Sequence, residues 1–115
     1  MASAELYDGT TRTWTETAPM GLPRVEHTLT LLDDGRVLAV GGLSAVGAVP
    51  QASAEIYDPR SATWSLVGQG LRQGRQGAAA ALLADHRILV SGGYAGAQDD
   101  DALHTSTVRL DRVRT

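Results

Sequence analysis

Tyr7 and Tyr57 stand 50 residues apart, and so do Trp14 and Trp64. Across Ala2–Trp14 and Ala52–Trp64, eight of thirteen positions are identical, including Ala-Ser-Ala-Glu and Tyr-Asp. The intervening half of the unit recurs at a shift of 51: Arg24 with Arg75, Leu31-Leu32 with Leu82-Leu83, Asp34 with Asp85, Gly41-Gly42 with Gly92-Gly93. A worn third copy of the Tyr-Asp half lies at Ser106–Asp111, shifted by 53, with Leu110 in the place of Tyr57. A period near 50 residues constrains a chain of 115 severely. Each copy must be one supersecondary unit that buries its apolar face only against its neighbours.

The unit reads as strands. Ala4 and Leu6 alternate with Ser3, Glu5 and Tyr7, a period of two, and Gly9–Arg12 is a polar turn before a second strand carrying Trp14. Pro19 and Pro23 interrupt any ladder, because proline has no N–H to donate. His27–Leu32 is β-branched and apolar, Asp34-Gly35 is a hairpin signal, and Val-Leu-Ala-Val at 37–40 fits a strand buried on both faces. Ala52–Asp58 and Thr63–Val67 repeat the first hairpin, with Pro59 opening the turn. The alanines of Ala78–Leu83 would suit a helix, but their register with His27–Leu32 predicts a strand. Asp85-His86 replaces Asp34-Gly35, and Arg87–Gly93 is a second Val-Leu-Ala-Val-like strand. His104–Asp111 is the last. The tally is two strands, then four, then three, with almost no helix.

Gly-Gly at a strand end, then Tyr-Asp, then Trp about six residues on resembles the kelch repeat, the unit of kelch-type β-propellers, and the match spans almost the whole chain. The resemblance implies an all-β fold of four-stranded antiparallel blades around a channel. On that reading residues 1–115 are a single kelch-repeat region. Residues 2–17 form a half blade, 27–67 a complete blade, and 78–111 a blade lacking its outer strand.

Composition removes several function classes. The 10 basic and 13 acidic side chains give a net charge of −3, without the clustered basic excess of a nucleic-acid binder. Without cysteine there is no disulfide framework and no thiolate metal site. No apolar run reaches a membrane-spanning length, and no basic-then-apolar leader opens the sequence. No cofactor is expected.

The repeated residues have structural readings. Gly41, Gly42, Gly92 and Gly93 lead from strands into loops, whereas a phosphate cradle needs a glycine loop opening a helix. They are expected where backbone passes close to backbone or takes positive φ. Tyr7, Trp14, Tyr57 and Trp64 are expected as the main packing wedges between blades, with ligand stacking as the alternative. Glu5 and Glu55 recur in register, which points to a structural partner such as a neighbouring blade's backbone amide or arginine. Arg24, Glu26, His27, Arg72 and Arg75 precede the first strands of their blades. By resemblance these residues, with the loops Leu43–Gln51 and Tyr94–Leu103, would line a binding rim, since function concentrates on loops of a rigid scaffold. For the arginines the alternative is a solvated or blade-linking role. Asp99-Asp100-Asp101 lacks the ligand alternation of a calcium loop and reads as a solvated acidic loop. His27, His86 and His104 have no metal-ligand spacing.

Three functions compete. The first is a non-catalytic module recognising protein or small ligands through its loops. The second is a piece of a larger propeller, natural or engineered. The third is part of a sugar-acid epimerase-like enzyme, for which only Glu26, His27 and the arginines are placed. A kelch-type copper radical oxidase would need a Tyr–Cys crosslink, and there is no cysteine. The unequal strand groups predict head-to-tail association of two or three copies into a closed ring. One misfit accompanies this: Ser106–Asp111 and Ala2–Asp8 are the same blade element, so one of them must be displaced or redundant.

Overall fold

Alternating apolar and polar residues, cut every few positions by Gly, Pro and Asp, leave the chain no option but short strands joined by tight turns. The structure, a computed structural model, describes residues 2–44, 49–68, 70–95 and 107–110, the last group as backbone. Its strands are β1 (Glu5–Asp8), β2 (Thr13–Glu16), β3 (Thr28–Leu31), β4 (Val37–Val40), β5 (Ala54–Asp58), β6 (Thr63–Leu66), β7 (Ala79–Leu82), β8 (Ile88–Ser91) and β9 (Thr107–Leu110). They form antiparallel sheets of two, four and three strands, ordered β1-β2, β3-β4-β5-β6 and β7-β8-β9. The fold is all-β. The alanine run is strand β7, where the repeat register overrides helix propensity. Among the described residues no helix is long and apolar enough to cross a membrane.

The hairpin turns follow the local chemistry. Between β3 and β4 the amide of Gly35 donates to the carbonyl of Leu32, and Gly35 takes φ 90°. Asp34 plays a different part from its neighbour: its carboxylate accepts from the Arg36 amide at 3.2 Å and from Arg36 Nε at 2.7 Å. These bonds, led by the backbone one, hold the Asp34 carboxyl below the usual range. Between β7 and β8, His86 stands where Gly35 stood and adopts φ 70°. Its Nδ1 faces the Asp33 carboxylate of the preceding sheet.

The core lies between the second and third sheets. Leu38 and Val40 from β4, with Ala54 and Ile56 from β5, meet Ile88 and Val90 from β8, with Leu32 and Leu71 at the margins. Burying side chains of this size stabilises by about 1.5–3 kcal/mol each relative to exposure. The first sheet is different: every residue of β1 and β2 is exposed. The Tyr and Trp side chains pair across strands within one hairpin. Tyr57 lies beside Trp64 with ring centroids 5.2 Å apart, and Tyr7 beside Trp14 at 5.1 Å. Only the second pair of repeats is enclosed, Tyr57 being 4% exposed against 52% for Tyr7.

Candidate functional site

The connection entering the four-stranded sheet carries Arg24, Val25, Glu26 and His27, and the equivalent entering the next sheet carries Arg72, Arg75, Gln76 and Gly77. Each is tied to the residue that follows a Gly-Gly pair. Val25 exchanges both backbone hydrogen bonds with Leu43 at 2.9 and 2.8 Å, and Gln76 does the same with Tyr94 at 3.0 and 2.9 Å. Gly-Gly permits this close approach. Gly41 and Gly42 have φ 73° and 86°, and a Cβ on Gly42 would stand 2.6 Å from the Val25 carbonyl oxygen. The connections and the starts of the loops after Gly-Gly therefore share one edge of the molecule. Residues 45–48 and 96–103 of those loops, Asp99-Asp100-Asp101 among them, lie outside the described residues, as does His104.

Two of the candidates are not on that edge. Arg24 and Arg75 are each 2% exposed, lying in the interior instead of on a rim. The physical reason is clearest for Arg24. A guanidinium has five N–H donors in a fixed fork, and here all five are engaged by the chain itself. Nε and Nη2 donate to Glu55 Oε2 at 3.2 and 3.1 Å, Nη1 to the carbonyls of Gly41 and Ser53 at 2.9 Å, and Nη2 to Ser53 Oγ at 2.9 Å. Glu55, 1% exposed, also accepts from the Gly21 amide at 2.5 Å and the Leu22 amide at 3.2 Å. The recurring glutamate thus has both kinds of partner its register predicts, a neighbouring unit's amides and its arginine. Arg24 and Glu55 fasten the incoming connection to the middle of the sheet. Arg75 sits in the corresponding place one repeat later and donates from Nη1 to the Gly92 carbonyl at 2.9 Å.

Glu26, His27 and Arg72 remain at the edge. Glu26 and Arg72 are exposed, and His27 is half-buried. Glu26 adopts φ 57°, where the next repeat has Gly77 at 67°. Its carboxylate accepts from Gln76 Nε2 at 2.7 Å and its carbonyl from the Gly77 amide at 2.8 Å, so it binds one connection to the next. Sequence reading missed Gln76 as a member of this group; the one available signal was its position immediately after a recurring arginine. His27 has its pKa lowered, first by desolvation and then by the nearby charge of Arg24, and its Nδ1 is buried without a hydrogen-bond partner. Among the described residues no three His, Asp or Glu side chains converge as metal ligands do.

Comparison with known proteins matches residues 27–69 to the Kelch motif. The Kelch-like protein terF of Aspergillus terreus is 34% identical over 93 residues, covering 77% of this chain and 20% of that protein. Kelch-like protein 7 of Rattus norvegicus and that of Mus musculus are each 37% identical over 67 residues, covering 58% of this chain and 11% of theirs. The chain therefore spans a fifth or less of the length of these curated relatives.

Proposed function

Because the chain is built of kelch repeats, we propose that it is a protein-interaction module without catalysis of its own. It uses the edge formed by its inter-sheet connections and the loops after Gly-Gly. The observation that supports this most is the division of labour among its charged residues. Arg24 and Glu55 are spent inside the fold, which fastens the connection carrying Glu26 to its sheet. Glu26 and Arg72 stand outside on the two connections, each of which is bridged to the root of a loop. Recognition from such a frame orders few side chains, so little conformational entropy opposes binding. The likeness to kelch-like proteins supports this reading.

The test is affinity capture from extract of the source cells, followed by measured binding of the captured partner. The wild-type chain and a Glu26→Lys/Arg72→Glu variant are compared after their thermal midpoints are matched. The expected result is a partner bound by the wild type and lost by the variant. A partner held equally by both places recognition elsewhere on the molecule.

The same reading makes further copies of this chain its partners, associating head to tail so that two or three copies close a ring of blades. Exposed β1 and β2 at one end and an open face of the third sheet at the other support it. Light scattering behind a sizing column tests it: a discrete dimer or trimer is expected, and a strict monomer at all concentrations overturns it.

A further inference from the structure

Among the described residues, Arg75 is buried without the carboxylate that its repeat equivalent Arg24 holds. Arg24 and Arg75 hold equivalent positions and both donate from Nη1 to the carbonyl of a Gly-Gly glycine at 2.9 Å. Every donor of Arg24 is satisfied, whereas Arg75 Nε is buried with no acceptor among the described residues. The missing acceptor is identifiable from register. In the complete sheet Ala39 pairs with Glu55, whose carboxylate takes Arg24. In the third sheet the equivalent Val90 pairs with Val108, so β9 brings an apolar residue to the glutamate position. A buried guanidinium left without a counter-charge is costly.

The complement to this defect lies at the other end of the chain. Ala2-Ser3-Ala4-Glu5 repeats Ala52-Ser53-Ala54-Glu55, the segment that supplies Arg24 with a carbonyl, a hydroxyl and a carboxylate. The hairpin is already shaped for the role. Met20 donates to the Ala2 carbonyl at 2.9 Å as Leu71 does to that of Ala52 at 2.7 Å. Yet Glu5 is exposed, whereas Glu55 is buried against Arg24.

We infer that Arg75 of one copy is the socket for Glu5 of a second copy, the β1–β2 hairpin of the second copy pairing with β8 in place of β9. By the register of the complete sheet, Val90 then opposes Glu5, and Ile88 opposes Tyr7, of the second copy. This rests on the head-to-tail reading above and names the contact that drives it. It also resolves the duplication of Ala2–Asp8 by Ser106–Asp111: both segments compete for one edge, and only the first carries the carboxylate.

An independent observation agrees. Leu29 and Leu31 on β3 are 60% and 67% exposed, whereas their repeat equivalents Ala80 and Leu82 on β7 are packed against the core beside the complete sheet. The difference is that, among the described residues, no inner strands of a preceding sheet lie against β3. When the hairpin docks on β8 of another copy, that copy's β7 and β8 arrive as those inner strands and cover Leu29 and Leu31. One docking event satisfies the arginine and closes the apolar face.

Sedimentation equilibrium of the full chain tests the inference, comparing wild type with Glu5→Ala, Arg75→Ala and an equimolar mixture of the two variants. Glu5 is exposed in the single chain, so Glu5→Ala leaves the thermal midpoint of dilute protein unchanged. Its association constant falls roughly tenfold to a hundredfold, the worth of hydrogen bonds to a charged group. The mixture associates more tightly than either variant alone, because one intact Arg75 meets one intact Glu5. Should Arg75→Ala fail to fold, Leu31→Asp replaces it, and weakened association of that variant is the supporting result. Equal association of wild type and Glu5→Ala overturns the Arg75–Glu5 contact while leaving assembly through another surface. A wild type that stays monomeric overturns both the contact and the head-to-tail reading.

Discussion

Replacing Glu55 by alanine removes the acceptor on which four donors converge: the Gly21 and Leu22 amides, Arg24 Nε and Arg24 Nη2. The pair is almost fully enclosed, with Arg24 and Glu55 side chains 0% and 1% exposed. The loss is therefore not that of a surface ion pair, which is worth about 0–1 kcal/mol. Removing one partner of a buried pair leaves an uncompensated charge and costs about 3–5 kcal/mol. Domains of this size have total stabilities of about 5–15 kcal/mol, so Glu55→Ala takes a large share. Urea unfolding followed by tryptophan fluorescence measures it. With a slope of about 1–3 kcal/mol per molar, the midpoint falls by roughly 2 M. Arg24→Ala is costly as well, and the double variant Arg24→Ala/Glu55→Ala is less destabilised than the sum of the two singles. Glu5→Ala at low protein concentration is the control, staying within about 0.5 kcal/mol of wild type. A Glu55→Ala midpoint within about half a molar of wild type, at unchanged slope, refutes the claim that this pair fastens connection to sheet.

Gly42→Ala meets both a left-handed backbone and the Val25 carbonyl, and is expected to destabilise by about 1–3 kcal/mol in the same assay. His27→Ala, the residue that Ala78 supplies one repeat later, is expected to flatten the acid limb of the stability profile. The folded pKa of His27 lies below its ordinary value of 6.5, so between the two the unfolded chain binds more protons. Wild-type stability is therefore full above that value and declines as pH falls through the window beneath it. Thermal midpoints of wild type and variant measured from pH 7 downward give the comparison, and parallel curves would show that His27 does not titrate differently on folding. Trp64→Ala is expected to cost about 2 kcal/mol and Trp14→Ala less than about 1, because Trp64 is half-buried and Trp14 is 66% exposed. Equal midpoints for the two variants would contradict the difference in enclosure.

The local plan was legible in the sequence. Period-two alternation marks the strands, and Asp34-Gly35 and its worn copy Asp85-His86 mark the hairpins. The recurrence of Glu5 and Glu55 at a fixed place announces a structural partner. These features depend on neighbours within a few residues, or on pairing between adjacent strands, so composition and spacing suffice. Gln76 was invisible as a partner of Glu26, since nothing in its type or spacing distinguishes it from any surface glutamine. The loops after Gly-Gly were legible only as positions. Their beginnings are held by Val25–Leu43 and Gln76–Tyr94 bridges between segments far apart in the chain.

What the sequence alone determined was the repeating unit: the order of strands and turns, the glycines, and the in-register Arg and Glu. What only the tertiary structure decided was the state of each copy. Arg24 and Arg75 have the same type and register, yet one has all its donors satisfied and the other holds a buried Nε with no acceptor among the described residues. Tyr7 and Tyr57 share their hairpin geometry, yet one is half exposed and the other enclosed. Burial and charge compensation belong to whatever stands on the far side of a residue, and in a stacked array that is supplied by the next unit. A repeat can therefore specify its own strands, but only its neighbours complete its core and its ion pairs.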